Sequence, residues 1–204
     1  MGILGGSFNP AHGGHLHISL LAMKHLRLDE VWWVVSPQNP RKNSTGMAPC
    51  DKRLASAREV GRHPNIIVTD VEQRLGTRYT ADTLESFKAC FPRTHFVWLM
   101  GADNLVQISD WQRWTRIFNL VPIAIFDRAP YSFDALASKA AHAFSRFKQR
   151  HKNAAGLVEH RPPAWIFFHT RLHPGSATEI RAGRALRRVQ HRLEEGGTSS
   201  RRAP

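Results

Sequence analysis

Two histidines near the amino terminus have the type and spacing of residues that bind a phosphate group. His12 and His15 lie three positions apart, where a short apolar run gives way to a helical pattern. Residues three apart share one face of a helix, and the amides of the first turn add partial positive charge beside them. Imidazole donors at this place could stabilise the charge that develops in phosphoryl transfer.

The loop that carries these histidines is rich in glycine and follows the apolar run directly. We expect Gly5 and Gly6 to permit positive φ angles and a close approach of the backbone to a phosphate. The amides of Ser7 and Phe8 follow them and could bind an anion. The segment is neither the GxGxxG dinucleotide fingerprint nor the GxxxxGK[ST] P-loop, which disfavours those two classes of phosphate site.

Two other interpretations of the histidines are open. With His17 they could bind a metal ion, although His17 points away from the shared face and no second ligand cluster accompanies it. They could also be ordinary polar residues at a helix start. Two histidines and four glycines within residues 5–15 favour the phosphate interpretation over both alternatives.

A second candidate anion site lies far along the chain, at residues 176–181. Ser176 could cap a helix whose first turn carries Thr178 and Arg181, so that amides, hydroxyls and a guanidinium converge on one anion. A capping box between Ser176 and Glu179 would explain the same residues without a ligand. The presence of the histidine loop favours the phosphate interpretation.

These segments need a scaffold, and the apolar pattern predicts a Rossmann-like, doubly wound α/β domain. Strand-like runs alternate with amphipathic stretches, which indicates a mostly parallel sheet with helices on both faces. The helical stretches place apolar residues three or four apart, as in Leu16, Leu20 and Met23, and in Leu84, Phe87 and Phe91. The predicted strands are residues 3–4, 31–35, 66–71, 95–100, 123–126 and 165–168.

The fold also predicts where a ligand binds. In doubly wound sheets this is beyond the carboxyl ends of the strands, usually between strands one and four. Strand one leads into the histidine loop, and strand four leads into Gly101 and Asp103. We therefore expect these two segments to lie side by side.

Length and composition predict one domain over residues 1–195 and a disordered basic tail over 196–204. The chain has 204 residues, 42% of them hydrophobic, which is enough to form a core without disulfides or a structural metal. Residues 37–49 are rich in Pro, Asn and Ser and predict a long mobile loop. No apolar run approaches the roughly 18 residues of a membrane span, and the two cysteines lack metal-ligand spacing, so we expect a cytoplasmic protein.

The net charge of +13 raises the question of a nucleic-acid partner. Much of the basic excess lies in the last third of the chain, where a solvated helix face and a frayed end explain it better than a polynucleotide groove. Small phosphorylated substrates would also benefit from a positive field. The pattern specifies no oligomeric state.

The two phosphate segments resemble those of a known superfamily. Residues 5–15, GGSFNPAHGGH, are similar to the motif G-G-[ST]-F-[DN]-P-x-H-x-G-H of adenylyltransferases in the nucleotidyltransferase α/β-phosphodiesterase superfamily. Residues 176–181, SATEIR, resemble the partner motif I-S-S-T-x-[IV]-R, with Gly175 in place of isoleucine and Ala177 in place of the second serine.

Further segments resemble the bacterial nicotinate-nucleotide adenylyltransferases in particular. They are YTADTL at residues 79–84, and GAD at 101–103 followed by WQRW at 111–114. Lys42 lies in a loop similar to the family's P-x-x-x-P-x-K segment, and Arg53 and Arg128 are further candidate phosphate contacts. An indole of Trp111 could stack on a pyridine ring, whereas we expect Trp114 in the core.

The resemblance implies transfer of the adenylyl group of ATP to nicotinate mononucleotide, which gives nicotinate adenine dinucleotide (deamido-NAD) and pyrophosphate in NAD biosynthesis. Mg²⁺ would accompany ATP, and no protein metal site is implied. The alternatives are transfer to nicotinamide mononucleotide or phosphopantetheine, and a basic nucleic-acid-binding module. The implied catalytic residues are His12, His15, Lys42 and Arg181.

The resemblance also implies the residues of two subsites. ATP would contact Gly5, Gly6, Ser7, Phe8, His15, Gly101, Asp103, Ser176, Thr178 and Arg181. Nicotinate mononucleotide would contact Ser7, Lys42, Thr80, Thr83, Asp103 and Trp111.

Overall fold

A six-stranded parallel sheet forms the centre of the protein in a computed structural model, which describes residues 1–37, 46–128 and 130–169. The strands are β1 (Gly2–Gly6), β2 (Val31–Val35), β3 (Ile66–Thr69), β4 (Val97–Gly101), β5 (Ile123–Phe126) and β6 (Trp165–Phe168). Their order across the sheet is β3-β2-β1-β4-β5-β6, and every pairing is parallel. This is the doubly wound order, so the predicted fold class is confirmed.

Helices connect the strands and cover both faces of the sheet. They are α1 (Gly13–Leu26), α2 (Cys50–Val60), α3 (Val71–Leu75), α4 (Thr80–Cys90), α5 (Ala102–Gln107), α6 (Trp114–Leu120), α7 (Ser132–Leu136) and α8 (Lys139–Ala143). Short 3₁₀ helices cover Ile108–Asp110, Ser145–Phe147 and His151–Glu159. In the described parts of the chain, no helix has the length and apolarity needed to cross a membrane.

Each face of the sheet has its own apolar core. Side chains alternate along a strand, so Ile3 of β1 joins one core and the next residue, Leu4, joins the other. The first core includes residues of α4 to α8, and the second includes residues of α1, α2 and the 3₁₀ helix His151–Glu159. A parallel sheet buried on both faces has strands that are apolar throughout, which is why the strands were readable from the sequence.

Three predicted strands, 31–35, 123–126 and 165–168, have the predicted bounds. The prediction for the third strand is too long, because Thr69 accepts a hydrogen bond from the amide of Val71 at 3.1 Å and α3 begins there. The fourth strand begins at Val97 and not at residue 95.

The predicted apolar stripe of the first helix is wrong at one position. Leu20 is 40% exposed, although its spacing from Leu16 and Met23 predicts a shared buried face. The fully buried positions of α1 are instead Ser19, Ala22 and Leu26. Small residues fill this face because the helix lies close to the sheet, where the hydroxyl of Ser19 accepts a hydrogen bond from the indole of Trp33 at 2.8 Å.

Arg53 of α2 is a buried charged side chain that links separate segments through their backbone. It is 2% exposed. Its Nη1 donates to the carbonyl oxygens of Ser7 and Ser36, each at 2.7 Å, and Nη2 donates to that of Pro37 at 2.7 Å. Its Nε donates to the carbonyl of Ala48 at 2.9 Å. Arg53 therefore supports the histidine loop from behind, through backbone carbonyls.

We expect Arg53→Ala to lower the free energy of unfolding by about 3–5 kcal/mol, because it removes a buried side chain and leaves four partly buried carbonyl oxygens without their donors. Urea unfolding measures the effect. The matched control is Arg58→Ala, an exposed arginine of the same helix, which should change stability by less than about 0.5 kcal/mol. Equal small effects at both positions would mean that the Arg53 hydrogen bonds make no net contribution to the free energy of unfolding.

Candidate active site

The strand order places the two predicted ligand segments next to each other. β1 pairs with β4, with Leu4 opposite Leu99. The carboxyl end of β1 leads into the histidine loop, residues 5–15, and the carboxyl end of β4 leads into α5. β1 also pairs with β2 on its other side. The sheet therefore brings the histidine loop and the segment from Gly101 to Asp103 together, as the sequence predicts.

The two histidines cap helix α1. His12 is the N-cap residue, and its Nδ1 accepts a hydrogen bond from the amide of Gly14 at 3.1 Å. His15 reaches back, and its Nδ1 accepts from the amide of His12 at 3.2 Å. The ring centroids lie 4.0 Å apart. The histidines thus form a capping box, with imidazoles in the places that Ser and Glu usually take.

This capping geometry decides which nitrogen of each ring can donate. A ring nitrogen that accepts a hydrogen bond from an amide carries no proton, so the proton of the neutral ring is on Nε2. Both histidines therefore share one tautomer, with Nε2–H as the donor. Two imidazole donors held by backbone amides beside a helix N-terminus suit a phosphate group.

The environment of His15 favours its neutral form. Its ring lies 4.7 Å from that of Phe8 and 5.9 Å from that of Trp33, measured between centroids. Burial, and next the neighbouring charge of His12, lower the pKa of His15 to about 3. Arg128 lowers this pKa further. At neutral pH without a ligand, His15 is an uncharged donor.

The unusual backbone of the first loop lies at Phe8 and not at the glycines. Phe8 has a φ of 46° and is 1% exposed, and its ring stacks on Trp33 at a centroid distance of 5.2 Å. Among the described glycines, only Gly46 and Gly76 have positive φ, so the expectation of positive φ at Gly5 and Gly6 is wrong. Gly5 is required for packing instead, because a Cβ there would lie 2.3 Å from the indole of Trp98.

Asn9 links the first loop to residues 46–48, which lie just before α2. Its Nδ2 donates to the carbonyl of Gly46 at 3.1 Å, and its Oδ1 accepts from the amide of Ala48 at 3.2 Å. The candidate phosphate contact Arg53 also meets this region, but its donors are directed to backbone carbonyls. This placement favours a supporting role for Arg53 over contact with a phosphate.

Asp103 and Arg128 form an ion pair beside the histidine loop. Nη1 of Arg128 donates to Oδ2 of Asp103 at 2.9 Å. Oδ1 of Asp103 is buried and has no hydrogen-bond partner among the described residues. A Cβ on Gly101 would lie 2.5 Å from this oxygen, so glycine lets the carboxylate fold back over the end of β4. Since Arg128 also acts on His15, the structure brings all three side chains into one electrostatic environment.

Thr80 and Thr83 differ in accessibility. Thr80 is half-buried in the first turn of α4. Thr83 is 1% exposed, and its hydroxyl donates to Oε1 of Glu72 at 3.1 Å and lies 2.9 Å from that of Thr77. The predicted contact of Thr83 with a substrate therefore conflicts with its surroundings, which favour a supporting role.

Trp111 and Trp114 flank a turn that is tied to α4. Trp111 is half-buried at the edge of the first core. Trp114 makes edge contacts with Phe118 and Phe144 at centroid distances of 6.2 and 5.8 Å. These contacts place Trp114 against the first core, but it is half-buried like Trp111 and is not one of the buried core residues.

Arg113, between the two tryptophans, makes the link to α4. It has a φ of 55°. Its guanidinium donates to Asp82 at 2.5 Å and to Glu85 at 2.9 Å. These ion pairs link the turn that carries Trp111 to the first turn of α4, which carries Thr80. The segments at 79–84 and 111–114 are thus in contact.

Several predicted site residues lie outside the described residues: Lys42, Ser176, Thr178 and Arg181. Their roles stay predictions. Within residues 1–37, 46–128 and 130–169, no group of three or more His, Cys, Asp or Glu side chains could hold a metal ion. The capping geometry accounts for His12 and His15 without such an ion.

Sequence reasoning missed three supporting residues: Asn9, Glu72 and Arg113. Asn9 and Arg113 lie inside the segments that carry the family resemblance, so their position was a usable signal. No comparable signal marks Glu72, because a single buried glutamate on a short helix has the same sequence pattern as an exposed glutamate. Its burial depends on the packing of α3 between β2 and α4.

Comparison with known proteins finds a matching family and similar relatives. The cytidylyltransferase-like family model matches residues 3–183. The probable nicotinate-nucleotide adenylyltransferase of Parvibaculum lavamentivorans is 50% identical over 181 residues, which are 89% of this chain and 90% of that protein. The one of Gluconacetobacter diazotrophicus is 47% identical over 193 residues, 94% of this chain and 89% of that protein.

A solved structure has a similar fold. It is the Plasmodium falciparum nicotinic acid mononucleotide adenylyltransferase complexed with NaAD, with a TM-score of 0.64. It is 16% identical and covers 89% of this chain and 82% of that chain. At this identity the similarity shows the fold alone.

The lowered pKa of His15 predicts how stability depends on pH. In the unfolded chain, the imidazole of His15 binds a proton below about pH 6.5. In the folded protein, it binds that proton only below about pH 3. Its contribution to stability is therefore complete above about pH 6.5 and is lost as the pH falls. When the pH is lowered from about 7 to about 5, we expect the free energy of unfolding to fall by roughly 1–2 kcal/mol more in wild type than in His15→Gln.

Urea unfolding at both pH values measures this difference. The control is His142→Gln, at an exposed histidine of α8, which should lose stability in parallel with wild type. If His15→Gln also follows wild type, His15 is not held neutral in the folded protein.

Proposed function

This chain belongs to the cytidylyltransferase-like family and, within it, to the nicotinate-nucleotide adenylyltransferases, and on that premise we propose that it transfers the adenylyl group of ATP to nicotinate mononucleotide. The products are nicotinate adenine dinucleotide and pyrophosphate. The reaction is a step in NAD biosynthesis. The observation that carries the proposal at this site is the pair of Nε2–H donors of His12 and His15 at the start of α1.

The chemistry needs charge stabilisation more than proton removal. An oxygen of the nicotinate mononucleotide phosphate attacks the α-phosphorus of ATP, the new P–O bond forms, and the bond to the bridging oxygen of pyrophosphate breaks. The attacking phosphate is already an anion at neutral pH, so it needs no general base. Holding both substrates in line and stabilising the transferred phosphoryl group are the enzyme's main tasks.

We assign that stabilisation to His12 and His15, together with the amides of the first loop. Each neutral imidazole can donate one hydrogen bond to the phosphate through Nε2, while its Nδ1 stays bound to a backbone amide. Family resemblance adds Lys42, Ser176, Thr178 and Arg181 as further phosphate contacts, and adds Gly5, Gly6, Ser7, Phe8, Gly101 and Asp103 on the ATP side.

We propose that Mg²⁺ enters as part of the substrate, bound to the ATP phosphates. Mg²⁺ is commonly held by substrate phosphates and few protein ligands. The protein's part is then to hold the MgATP complex through contacts to its phosphates.

We assign the acceptor nucleotide to the side of the site formed by α4 and the turn at residues 111–113. Thr80 in the first turn of α4 and Trp111 on the turn tied to it by Arg113 would meet the nicotinate ring. An indole beside a pyridine ring contributes about 0.5–1.5 kcal/mol beyond burial. We place the activity in the cytoplasm, in keeping with two free thiols at Cys50 and Cys90.

A substrate panel tests the proposal. Purified protein with MgATP should release pyrophosphate with nicotinate mononucleotide, and much less with nicotinamide mononucleotide or phosphopantetheine. His15→Ala is the control that ties activity to this site, and it should lower kcat by about 10²–10³ because a donor to the transition state is lost. Preference for phosphopantetheine would assign the chain a different acceptor, and unchanged kcat in His15→Ala would remove His15 from the catalytic residues.

Trp111→Ala tests the acceptor subsite. We expect the KM for nicotinate mononucleotide to rise about tenfold, from lost stacking and burial, with the KM for ATP nearly unchanged. Trp114→Ala is the matched control, because its ring packs against Phe118 and Phe144. It should lower the free energy of unfolding by about 3–5 kcal/mol without a selective change in either KM. A Trp111→Ala protein that is destabilised but keeps both KM values would place Trp111 in the core only.

A further inference from the structure

Glu72 of α3 is a buried carboxyl group that lies beneath the first turn of α4. Its side chain is 6% exposed. Oε1 accepts a hydrogen bond from the hydroxyl of Thr83 at 3.1 Å, and the Ser36 side chain is a second polar group that interacts with the carboxyl. Oε2 is buried and has no hydrogen-bond partner among the described residues. Such a group is costly to bury, so its retention needs a reason.

The hydroxyl of Thr83 connects Glu72 to the turn that precedes α4. It lies 2.9 Å from the hydroxyl of Thr77 and 3.3 Å from the carbonyl oxygen of Tyr79. Thr83 has one hydroxyl proton, which it can give to only one acceptor at a time. Glu72, Thr77 and the Tyr79 carbonyl therefore share one hydrogen-bond centre, and Tyr79 is the N-cap residue of α4.

The opposite side of Glu72 leads to the histidine loop. Ser36 follows the carboxyl end of β2, and its amide donates to the carbonyl of Gly6 at 2.9 Å. The carbonyl of Ser36 accepts from Arg53 at 2.7 Å. Glu72 thus lies on a helix that packs against both β2 and α4, between Ser36 and the turn that precedes α4.

Burial and hydrogen bonding act on the pKa of Glu72 in opposite directions. Burial raises this pKa, while the hydroxyls of Thr83 and Ser36 oppose the rise. Oε1 can accept the hydrogen bond from Thr83 whether or not Oε2 carries a proton. The shape of the side chain and this acceptor are therefore what the neighbouring turn depends on.

We propose that Glu72 is a positioning residue that sets the nicotinate mononucleotide subsite, by fixing the Thr77–Thr83 turn to the carboxyl end of β2. The inference rests on the proposed function, because it assigns the turn to the acceptor nucleotide. Loss of Glu72 releases the turn and Thr80 but leaves His12 and His15 in their capping box. The effect is therefore selective for the acceptor nucleotide over ATP.

Three variants test the proposal by separate KM values for the two substrates, kcat and melting temperature. Glu72→Ala should raise the KM for nicotinate mononucleotide about tenfold, since displaced contacts weaken binding, while the KM for ATP changes less than about twofold. Glu72→Gln keeps the shape and the acceptor for Thr83 and should restore both KM values. Glu59→Ala, at an exposed glutamate of α2, is the control and should match wild type.

The results distinguish failure of the proposed function from failure of the positioning role of Glu72. Wild-type protein that does not use nicotinate mononucleotide overturns the proposed function, and this inference with it. A Glu72→Ala protein with a lower melting temperature but unchanged KM values overturns only the positioning role, as does failure of Glu72→Gln to restore the KM. If Glu72→Ala does not fold, Thr83→Val removes the hydroxyl at nearly constant shape. It should give the same selective rise, and an unchanged KM for nicotinate mononucleotide would overturn the proposal.

Discussion

Four backbone carbonyl groups converge on the guanidinium of Arg53, and the site depends on that convergence. The carbonyls belong to the histidine loop, to the end of β2 and to the segment before α2. Loops that leave parallel strands carry polar groups that no strand partner satisfies. In a trans peptide the carbonyl and the following amide point in opposite directions. With the carbonyl of Ser7 turned to Arg53, the amide of Phe8 points away from it.

The two sides of the proposed site are held by interactions of different strength. On the histidine side, short contacts within residues 8–15 fix the imidazoles through backbone amides and buried rings. On the side of α4 and α6, Arg113 and Arg116 bind Asp82 and Glu85 through ion pairs whose side chains are 33–54% exposed. Exposed ion pairs contribute about 0–1 kcal/mol each. The histidine side is therefore held by the stronger interactions, and the side that we propose for the acceptor nucleotide is held by weaker ones.

The sequence predicted the fold class well because both faces of the sheet are buried, so each strand is an apolar run with visible ends. The histidine loop was readable for a similar reason, since its residue types are unusual and adjacent. The roles of Arg53 and Glu72 were not readable. Each resembles an ordinary surface charge among 29 basic and 16 acidic residues, and its burial arises from distant segments. The conflict at Thr83 has the same cause, because its hydroxyl partners come from tertiary packing.

The capping role of His12 limits how this protein can be adapted to heat. Serine, threonine, aspartate and asparagine are the preferred N-cap residues. A search for variants of higher thermal stability would therefore replace His12 at an early stage. Each of these replacements would improve the helix end and remove an imidazole from the loop. Selection for thermal stability and selection for catalytic turnover would then act in opposite directions at His12. Gains in heat resistance are better sought on the far side of the sheet from the loop, or at exposed helix positions.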